Sequence, residues 1–349
     1  MSLATLLGTE WPLVQAPMAG VQGSALAIAA CRAGALGSLP AAMLSPQALR
    51  DELAAIRAAT DRPFNLNFFC HRPPATDAAA EARWRAALAP YHREYGIDPQ
   101  AIPAGPGRRP FDEETAAIVE TVRPRVVSFH FGLPPPALLQ RVKALGALVM
   151  SSATTVAEAR WLAAQGADIV IAQGLEAGGH RGHFLAEDLS GQCGLFALLP
   201  QVVRALDRPV LAAGGIADAR GVAAAMALGA AGVQVGTAFL CAAEATTGPL
   251  HRRALLAADA PPTALTNLFT GRPARGLVNR LMRELGPLSA LPPAFPLATA
   301  ALAPLRAAAE AAGRTDFSPL WCGDNRSGCR EAPAAAIVHE LARGFAARG

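Results

Sequence analysis

The chain has 349 residues, of which 52% are hydrophobic and 17% are charged, so it can bury a large core and is neither disordered nor fibrous. Lysine and arginine together outnumber aspartate and glutamate by 31 to 27, without a basic run of five or more, which argues against a nucleic-acid surface. Lys143 is the only lysine, which disfavours Schiff-base aldolases, pyridoxal-phosphate enzymes and P-loop NTPases.

Cysteine usage and the N-terminus bear on the compartment. The six cysteines are scattered, with no C-x-x-C motif and no histidine at metal-ligand spacing, which predicts a reduced compartment, no disulfide and no metal site. The N-terminus has neither a basic region nor a signal-length apolar stretch, so we expect a cytoplasmic protein. Residues 221–243 carry no charge, but their glycines favour a helix, a turn and a strand over a membrane span.

Short apolar runs alternate with helical segments along the first 240 residues, a pattern typical of parallel strands joined by crossover helices. Helix caps agree with this pattern: Ser45 and Pro46 begin one helix, and Gly166 and Gly229 end two others. The predicted strands are 13–17, 35–39, 64–69, 125–131, 147–152, 168–173, 209–214 and 232–237. Eight such strands predict an α/β fold, a (β/α)8 TIM barrel.

Two segments do not fit a minimal barrel. About 55 residues separate the third and fourth strands, so we expect a long insertion, about 71–124, over the barrel mouth. After residue 250 the alternation stops, and a hairpin or irregular region precedes helices near 278–285, 299–312 and 334–347. We therefore expect a barrel over 1–250 and a C-terminal, mainly helical lid or subdomain over 251–349, packed on the barrel mouth.

A candidate ligand site lies at the loops after strands seven and eight, which commonly hold a phosphate in TIM barrels. These strands end in Gly214-Gly215 and Gly236-Thr237, where bare backbone N–H groups can approach an anion and a hydroxyl can assist. The glycines could also serve tight turns alone, but their presence in both loops favours a phosphate. There is no G-x-G-x-x-G motif and hence no Rossmann domain.

Other strand ends carry groups suited to a planar heterocycle. Asn67 interrupts the apolar third strand, Gln173 ends the sixth, and Met18 follows the first, where its thioether can lie against a flat ring. Together with the phosphate loops, these residues predict a pocket for a phosphorylated heterocycle, with FMN the natural candidate.

Three histidines are candidates for chemistry. His180 follows two glycines in the loop 172–184 and has an imidazole suited to proton transfer near neutrality. His183 and His130 are candidates for substrate binding, although each could equally serve structure. His130 lies between two phenylalanines, where a structural histidine is common.

These segments resemble the class I nitronate monooxygenases, formerly called 2-nitropropane dioxygenases, over nearly the whole chain. SFHFG and EAGGHRG are specific to that group, whereas AAGGIAD and GVQVGT occur in many phosphate barrels. The matching motifs are LVQAPMAG (13–20), NLNFFCHRP (65–73), VVSFHFGLP (126–134), AQGLEAGGHRG (172–182), AAGGIADARG (212–221) and GVQVGTAFL (232–240). Cys193 and the stretch 321–333 depart from the family pattern.

The resemblance implies an FMN-dependent TIM-barrel enzyme with His180 as the catalytic residue. It implies a reaction in which an alkyl nitronate, or a neutral nitroalkane, reacts with O2 to give a carbonyl compound and nitrite. The implied FMN-binding residues, with Met18 beside the ring, are Asn67, Gln173, Gly178, Gly215, Gln234, Val235, Gly236 and Thr237.

Other functions stay open at this point. The nearest is an FMN-dependent NAD(P)H reductase of the enoyl-acyl-carrier-protein or quinone reductase type, which shares a similar EAGGH loop. A dehydrogenase with Cys193 as nucleophile is disfavoured because the expected Ser-x-Cys-x-Thr setting is missing. A barrel that binds a flavin or a phosphate without catalysis is the alternative of another class.

Overall fold

Eight parallel strands form a barrel in the computed structural model, which describes residues 1–75, 77–102 and 107–346. The strands are β1 (Leu13–Gln15), β2 (Gly37–Pro40), β3 (Phe64–Phe69), β4 (Val126–His130), β5 (Leu148–Ala153), β6 (Ile169–Gln173), β7 (Gly179–His180), β8 (Val210–Ala213), β9 (Gly232–Val235), β10 (Thr263–Thr266) and β11 (Ala274–Leu277). The barrel order is β1-β9-β8-β6-β5-β4-β3-β2, and the remaining strands form a sheet in the order β10-β11-β7. A parallel bridge between Val14 and Leu36 joins the first barrel strand to the second. The predicted (β/α)8 barrel and all eight of its strands are confirmed.

Helices cover the outside of the barrel and form most of the two extra segments. They are α1 (Leu3–Leu7), α2 (Ser24–Arg32), α3 (Pro46–Ala59), α4 (Ala78–Glu94), α5 (Glu113–Val122), α6 (Pro136–Ala144), α7 (Val156–Ala164), α8 (Leu195–Ala205), α9 (Ala219–Ala227), α10 (Pro249–Leu256), α11 (Arg280–Leu285), α12 (Ala298–Ala311) and α13 (Ala334–Ala342). The Ser45 side chain accepts from the N–H of Ala48 at 3.2 Å, and Pro46 is the first residue of α3, as predicted. Gly166 and Gly229 follow α7 and α9 with φ values of +101° and +95°, a region that glycine enters without steric cost.

The barrel interior is closed at its amino-terminal end by α1. Leu3 and Leu7 are buried with inward side chains of the barrel such as Val14 and Met150. The carbonyl of Leu6 accepts a hydrogen bond from Arg125, just before β4, at 2.8 Å. The opposite end, where the strands finish, is therefore the end at which a site can open.

A second hydrophobic core joins the insertion to the C-terminal region. Trp84 of α4 is buried against α12, and its indole N–H donates to the carbonyl of Ala298 at 3.0 Å. His92, also on α4, forms a 3.0 Å hydrogen bond to the carbonyl of Ala301. The last helix, α13, instead packs on α2 and α9 of the barrel. The division of the chain at residue 250 stays a prediction.

The uncharged stretch 221–243 contains most of α9, strand β9 and a short 3-10 helix, Thr237–Phe239. Within the described ranges, no helix combines the length and the apolar character needed to cross a membrane.

Candidate active site

A cavity opens at the carboxyl ends of the barrel strands, where the loops after β1, β6, β8 and β9 meet. Its wall includes every residue that the sequence predicted for the cofactor. These residues are Met18, Asn67, Gln173, Gly178, Gly214, Gly215, Gln234, Val235, Gly236 and Thr237. His180 and His130 also line the cavity, whereas His183 does not.

One end of the cavity is made of glycine loops. Gly214 and Gly215 have φ values of +118° and +71°, so their conformation suits residues without a Cβ. A Cβ on Gly236 would lie 3.4 Å from Ala16 Cβ and 3.7 Å from Met18 Sδ, which is ordinary van der Waals contact. The backbone of Gly236 is therefore reachable from the cavity without crowding by other protein atoms.

A segment near the C-terminus covers this glycine end. The N–H of Gly323 donates to Thr237 Oγ1 at 2.9 Å, and Asn325 Nδ2 donates to the carbonyl of Gly215 at 2.9 Å. A Cβ on Gly178 would lie 2.4 Å from the carbonyl carbon of Cys322, so only glycine permits this close approach. The stretch 321–325, which departs from the family pattern, thus contributes directly to the cavity wall.

Amide side chains occupy the middle of the cavity and differ in how fully they are paired. Gln173 Nε2 donates to the carbonyl of His180 at 3.0 Å, and its Oε1 accepts from the N–H of Gly182 at 2.8 Å, so this amide holds the loop after β6. Asn67 Nδ2 donates to Ser128 Oγ at 2.9 Å. Gln234 Oε1 is buried and has no hydrogen-bond partner among the described residues. A buried acceptor in a cavity wall suits a ligand that carries an N–H group.

His180 lies at the other end of the cavity among aromatic rings. Its Nε2 is 3.0 Å from Thr270 Oγ1, and its backbone pairs with Ala274 of β11. Burial, followed by the positive charges of Arg108 and other nearby groups, holds the pKa of His180 well below its ordinary value of 6.5. The imidazole is therefore neutral at pH 7. The rings around it, with centroids within 6.1 Å, belong to Phe69, Phe131, Phe295 and Trp321.

The other two histidines have different surroundings. His130 Nε2 is 3.2 Å from the carbonyl of His180, and its Nδ1 is 3.1 Å from Ser152 Oγ. Because a carbonyl only accepts, Nε2 carries the proton and Nδ1 accepts from the serine. Burial lowers the pKa of His130 to about 3, so this ring is a neutral support for the backbone of His180. His183 is buried, and its carbonyl accepts from Arg272.

Several cavity residues were not predicted from the sequence. Arg108 comes from the insertion, and Ser152 is the penultimate residue of β5, in an SSATT segment that lacks a charged or aromatic side chain. The arginine-rich composition around residue 108 was the one available signal for Arg108. Glu176, which the loop 172–184 was predicted to place at the barrel mouth, lines the cavity, and the unpredicted polar or aromatic residues of the wall include Trp321 and Asn325.

The parallel barrel has glycine loops after its last two strands and a histidine at the opposite end of the same cavity. This arrangement is typical of barrel enzymes that bind a phosphorylated cofactor. The nitronate monooxygenase family model matches residues 1–344. A nitronate monooxygenase from Paraburkholderia phytofirmans is 41% identical over 345 residues, which cover 98% of this chain and 94% of the relative. One from Pseudomonas aeruginosa is 40% identical and covers 96% of each chain. The chain belongs to the nitronate monooxygenase family.

Solved structures agree with this assignment. Nitroalkane oxidase from Streptomyces ansochromogenes has a TM-score of 0.88 at 40% identity, covering 99% of both chains. FabK from Thermotoga maritima has a TM-score of 0.72 at 26% identity, covering 99% of this chain and 96% of its own. The predictions of an enzyme, of FMN as its cofactor and of nitronate oxidation are confirmed. The reductase and the non-catalytic barrel are not favoured.

Proposed function

We propose that this enzyme converts alkyl nitronates and O2 to carbonyl compounds and nitrite, and that His180 is its catalytic residue. The observation that carries the proposal is a neutral imidazole at one end of a cavity whose other end is built from backbone glycines. FMN, when bound, would supply the redox chemistry by accepting electrons from the substrate singly and passing them to oxygen. The residues of the chain bind, orient and exchange protons.

The glycine end and the middle of the cavity would bind FMN. The N–H groups of Gly215, Gly236 and Thr237 would bind the phosphate, since backbone donors can approach an anion most closely where no Cβ intervenes. Met18 would lie beside the ring. Gln234 Oε1, which has no partner among the described residues, would accept from a ring N–H. The other residues that we propose to contact the cofactor are Asn67, Gln173, Gly178, Gly214 and Val235.

His180 can act on the substrate in two ways because its partner is a hydroxyl. Thr270 Oγ1, 3.0 Å from Nε2, can accept from the histidine while it donates to the carbonyl of Arg272 at 3.3 Å, or it can donate to the histidine instead. When Thr270 accepts from Nε2, Nδ1 carries a lone pair and can take the α-proton of a neutral nitroalkane. When Thr270 donates, Nδ1 carries a proton and can donate to a nitronate oxygen. The two substrate forms therefore require opposite tautomers of one side chain.

The charges near His180 favour the nitronate. Arg108 and Arg272 both lower the pKa of His180. The same positive charges stabilise an anion that binds beside this histidine. A base whose pKa lies well below 6.5 is also poorly matched to removing a proton at neutral pH. We propose that His130 and His183 serve the structure, His130 by holding the backbone of His180.

The test compares nitrite release from a nitronate and from its neutral nitroalkane, using the purified flavoprotein. His180→Asn retains a hydrogen-bond donor of similar size without a titrating group. We expect loss of about 10² to 10⁴ in rate on the neutral nitroalkane and a smaller loss on the nitronate. His339→Asn, on an exposed face of α13, is the matched control. Equal small losses on both forms, with flavin retained, would reduce His180 to a positioning residue.

A parent protein that releases no nitrite from any nitronate would contradict the proposed reaction. Rapid anaerobic bleaching of its flavin by NADH would then favour the reductase.

The remaining proposals concern the whole chain. The region after residue 250 would act as a lid, since Trp321 and Asn325 line the cavity. A cytoplasmic location is supported by the cysteines of the described residues, all of which are free thiols. The small-molecule partners would be an anionic alkyl nitronate and O2.

A further inference from the structure

Arg108 is a charged residue of the cavity wall to which the proposed reaction assigns no direct contact with a ligand. It lies in the insertion, between β3 and α5, and is the one arginine among the described residues that line the cavity. Its guanidinium carbon lies 5.7 Å from the centroid of the Phe295 ring, and its Nη1 donates to Thr299 Oγ1 at 3.3 Å. Burial lowers the pKa of its guanidinium.

Arg108 has fewer hydrogen-bond partners within the described ranges than two neighbouring arginines, Arg275 and Arg181. Arg275 forms a 2.8 Å ion pair with Asp324. Arg181 is fully buried and donates to the carbonyls of Gly174 and Gln173 at 2.6 and 2.8 Å. Within the described part of the chain, no carboxylate lies within ion-pair distance of Arg108. Arg108 is half-buried, and the one hydrogen bond that its guanidinium makes within the described ranges is to a hydroxyl. A partly desolvated charge without a counter-ion is costly, which points to an anion as its partner.

The position of Arg108 shows which anion it can reach. Its aromatic neighbour Phe295 has a ring centroid 5.3 Å from that of His180 and 4.8 Å from that of His71. Among the neighbouring charges, that of Arg108 lowers the pKa of His180 most, although burial lowers it more. Arg108 therefore belongs to the His180 end of the cavity. The glycine end, where we place the FMN phosphate, is covered instead by Gly323 and Asn325.

We propose that Arg108 is a specificity-determining residue that binds the nitronate group of the substrate. The two nitronate oxygens share a plane and a negative charge, as the oxygens of a carboxylate do, and a guanidinium offers two parallel N–H donors to such a group. A neutral nitroalkane lacks the net charge and gains much less. Arg108 would thus select the anionic form, while Phe69, which lines the cavity, would contact the carbon chain. This inference rests on the proposed reaction.

The experiment compares Arg108→Met with Arg109→Met. Arg109 is the adjacent residue, exposed and paired with Asp112 at 2.6 Å, so its variant removes the same charge outside the cavity. We expect Arg108→Met to raise the KM for a nitronate by about tenfold or more, with a much smaller change in kcat. The kcat/KM for the neutral nitroalkane should match that of the control. Arg108→Lys, which keeps the charge but not the two parallel N–H donors, should recover part of the lost affinity for the nitronate.

A binding measurement separates this inference from the reaction itself. Nitrate, a planar anion that is not turned over, is titrated into each flavin-loaded protein while the flavin absorbance is followed. We expect its Kd to rise by about tenfold in Arg108→Met and to be unchanged in Arg109→Met. This titration is informative even if the parent releases no nitrite, in which case only the proposed reaction fails.

Three results would overturn the inference. One is a nitronate KM and a nitrate Kd within twofold of those of Arg109→Met. Another is an equal loss on nitronate and nitroalkane. The third is loss of FMN from Arg108→Met at unchanged stability, which would assign Arg108 to the cofactor. If the methionine variant fails to fold, the same comparisons are made with Arg108→Lys. A nitronate KM and a nitrate Kd that are unaltered in this variant would show that the positive charge alone is sufficient, and would overturn the bidentate contact.

Discussion

Gly236→Ala tests the phosphate site because the structure separates its effect on folding from its effect on the ligand. Gly236 has φ −115° and ψ −65°, outside the left-handed region, so alanine can adopt its backbone conformation. The added Cβ would meet Ala16 Cβ at 3.4 Å and Met18 Sδ at 3.7 Å, without overlap. We therefore expect the apoprotein to keep its stability or to gain about 0.4–1 kcal/mol through a less flexible unfolded chain.

The same methyl group would stand where the phosphate approaches the N–H groups of Gly236 and Thr237. Loss of one hydrogen bond to a charged group costs about 1.5–3 kcal/mol, which corresponds to a rise of roughly 10- to 150-fold in the Kd for FMN. The assay is a fluorescence titration of apoprotein with FMN, paired with urea unfolding of the apoprotein. Gly191→Ala is the control, since a Cβ there meets no atom within 4 Å.

An FMN Kd for Gly236→Ala within twofold of the control, at equal stability, would refute the placement of the phosphate. A variant that loses both stability and FMN would instead refute the argument that the Cβ fits among Ala16 and Met18.

Three further predictions concern folding, pH and a thiol. Trp84→Ala removes the indole that joins α4 to α12 and should lower the unfolding free energy, measured in urea, by about 3–5 kcal/mol. Phe196→Ala, at an exposed position, should change it by less than about 0.5 kcal/mol. Equal losses of stability in the two variants would contradict the shared core of α4 and α12. Five histidines have folded-state pKa values below the ordinary 6.5, so the unfolded chain binds protons more readily than the folded protein. The unfolding free energy should therefore fall as the pH drops from 7.5 to 5.5. A profile that stays flat over this range would contradict the burial of these side chains. They are His71 and His183 and His251 at about 4, His130 at about 3, and His180. Cys193→Ser should leave nitrite release within about twofold of the parent, because burial and Glu176 raise the pKa of this thiol and keep it protonated; a large loss would make Cys193 part of the chemistry.

The barrel could be predicted because each strand carries its own signal. The run 64–69 coincides with β3, since six consecutive buried residues end at both sides in polar or proline-containing segments. Predicted runs that were too long, such as 13–17 against Leu13–Gln15, extend into the cavity wall. Loop residues there are apolar because they face a ligand, so composition alone does not mark where a strand ends.

That the glycine loops and the predicted amides line one cavity could also be predicted, because these residues follow barrel strands whose ends must meet. Arg108 and Asn325 could not, since each reaches the cavity through segments whose packing no local pattern defines. The role of His130 was open for the same reason. Its sequence neighbours are phenylalanines, but its hydrogen-bond partners are the carbonyl of His180 and the hydroxyl of Ser152, 50 and 22 residues away.

The two ends of the cavity therefore have different structural origins. Barrel loops supply the glycines after β8 and β9, whereas the insertion and the C-terminal region supply Arg108, Phe295 and Trp321 around His180. Those two segments share one hydrophobic core through Trp84 and Ala298, so a substitution in either can shift the substrate end as a unit. The glycine loops are formed by barrel strands, but Gly323 and Asn325 of the C-terminal region also hydrogen-bond to them. A change confined to Arg108 should therefore alter selectivity among nitronates, whereas a change at Gly236 should alter the affinity for FMN, and the variants of these two residues probe the two properties separately.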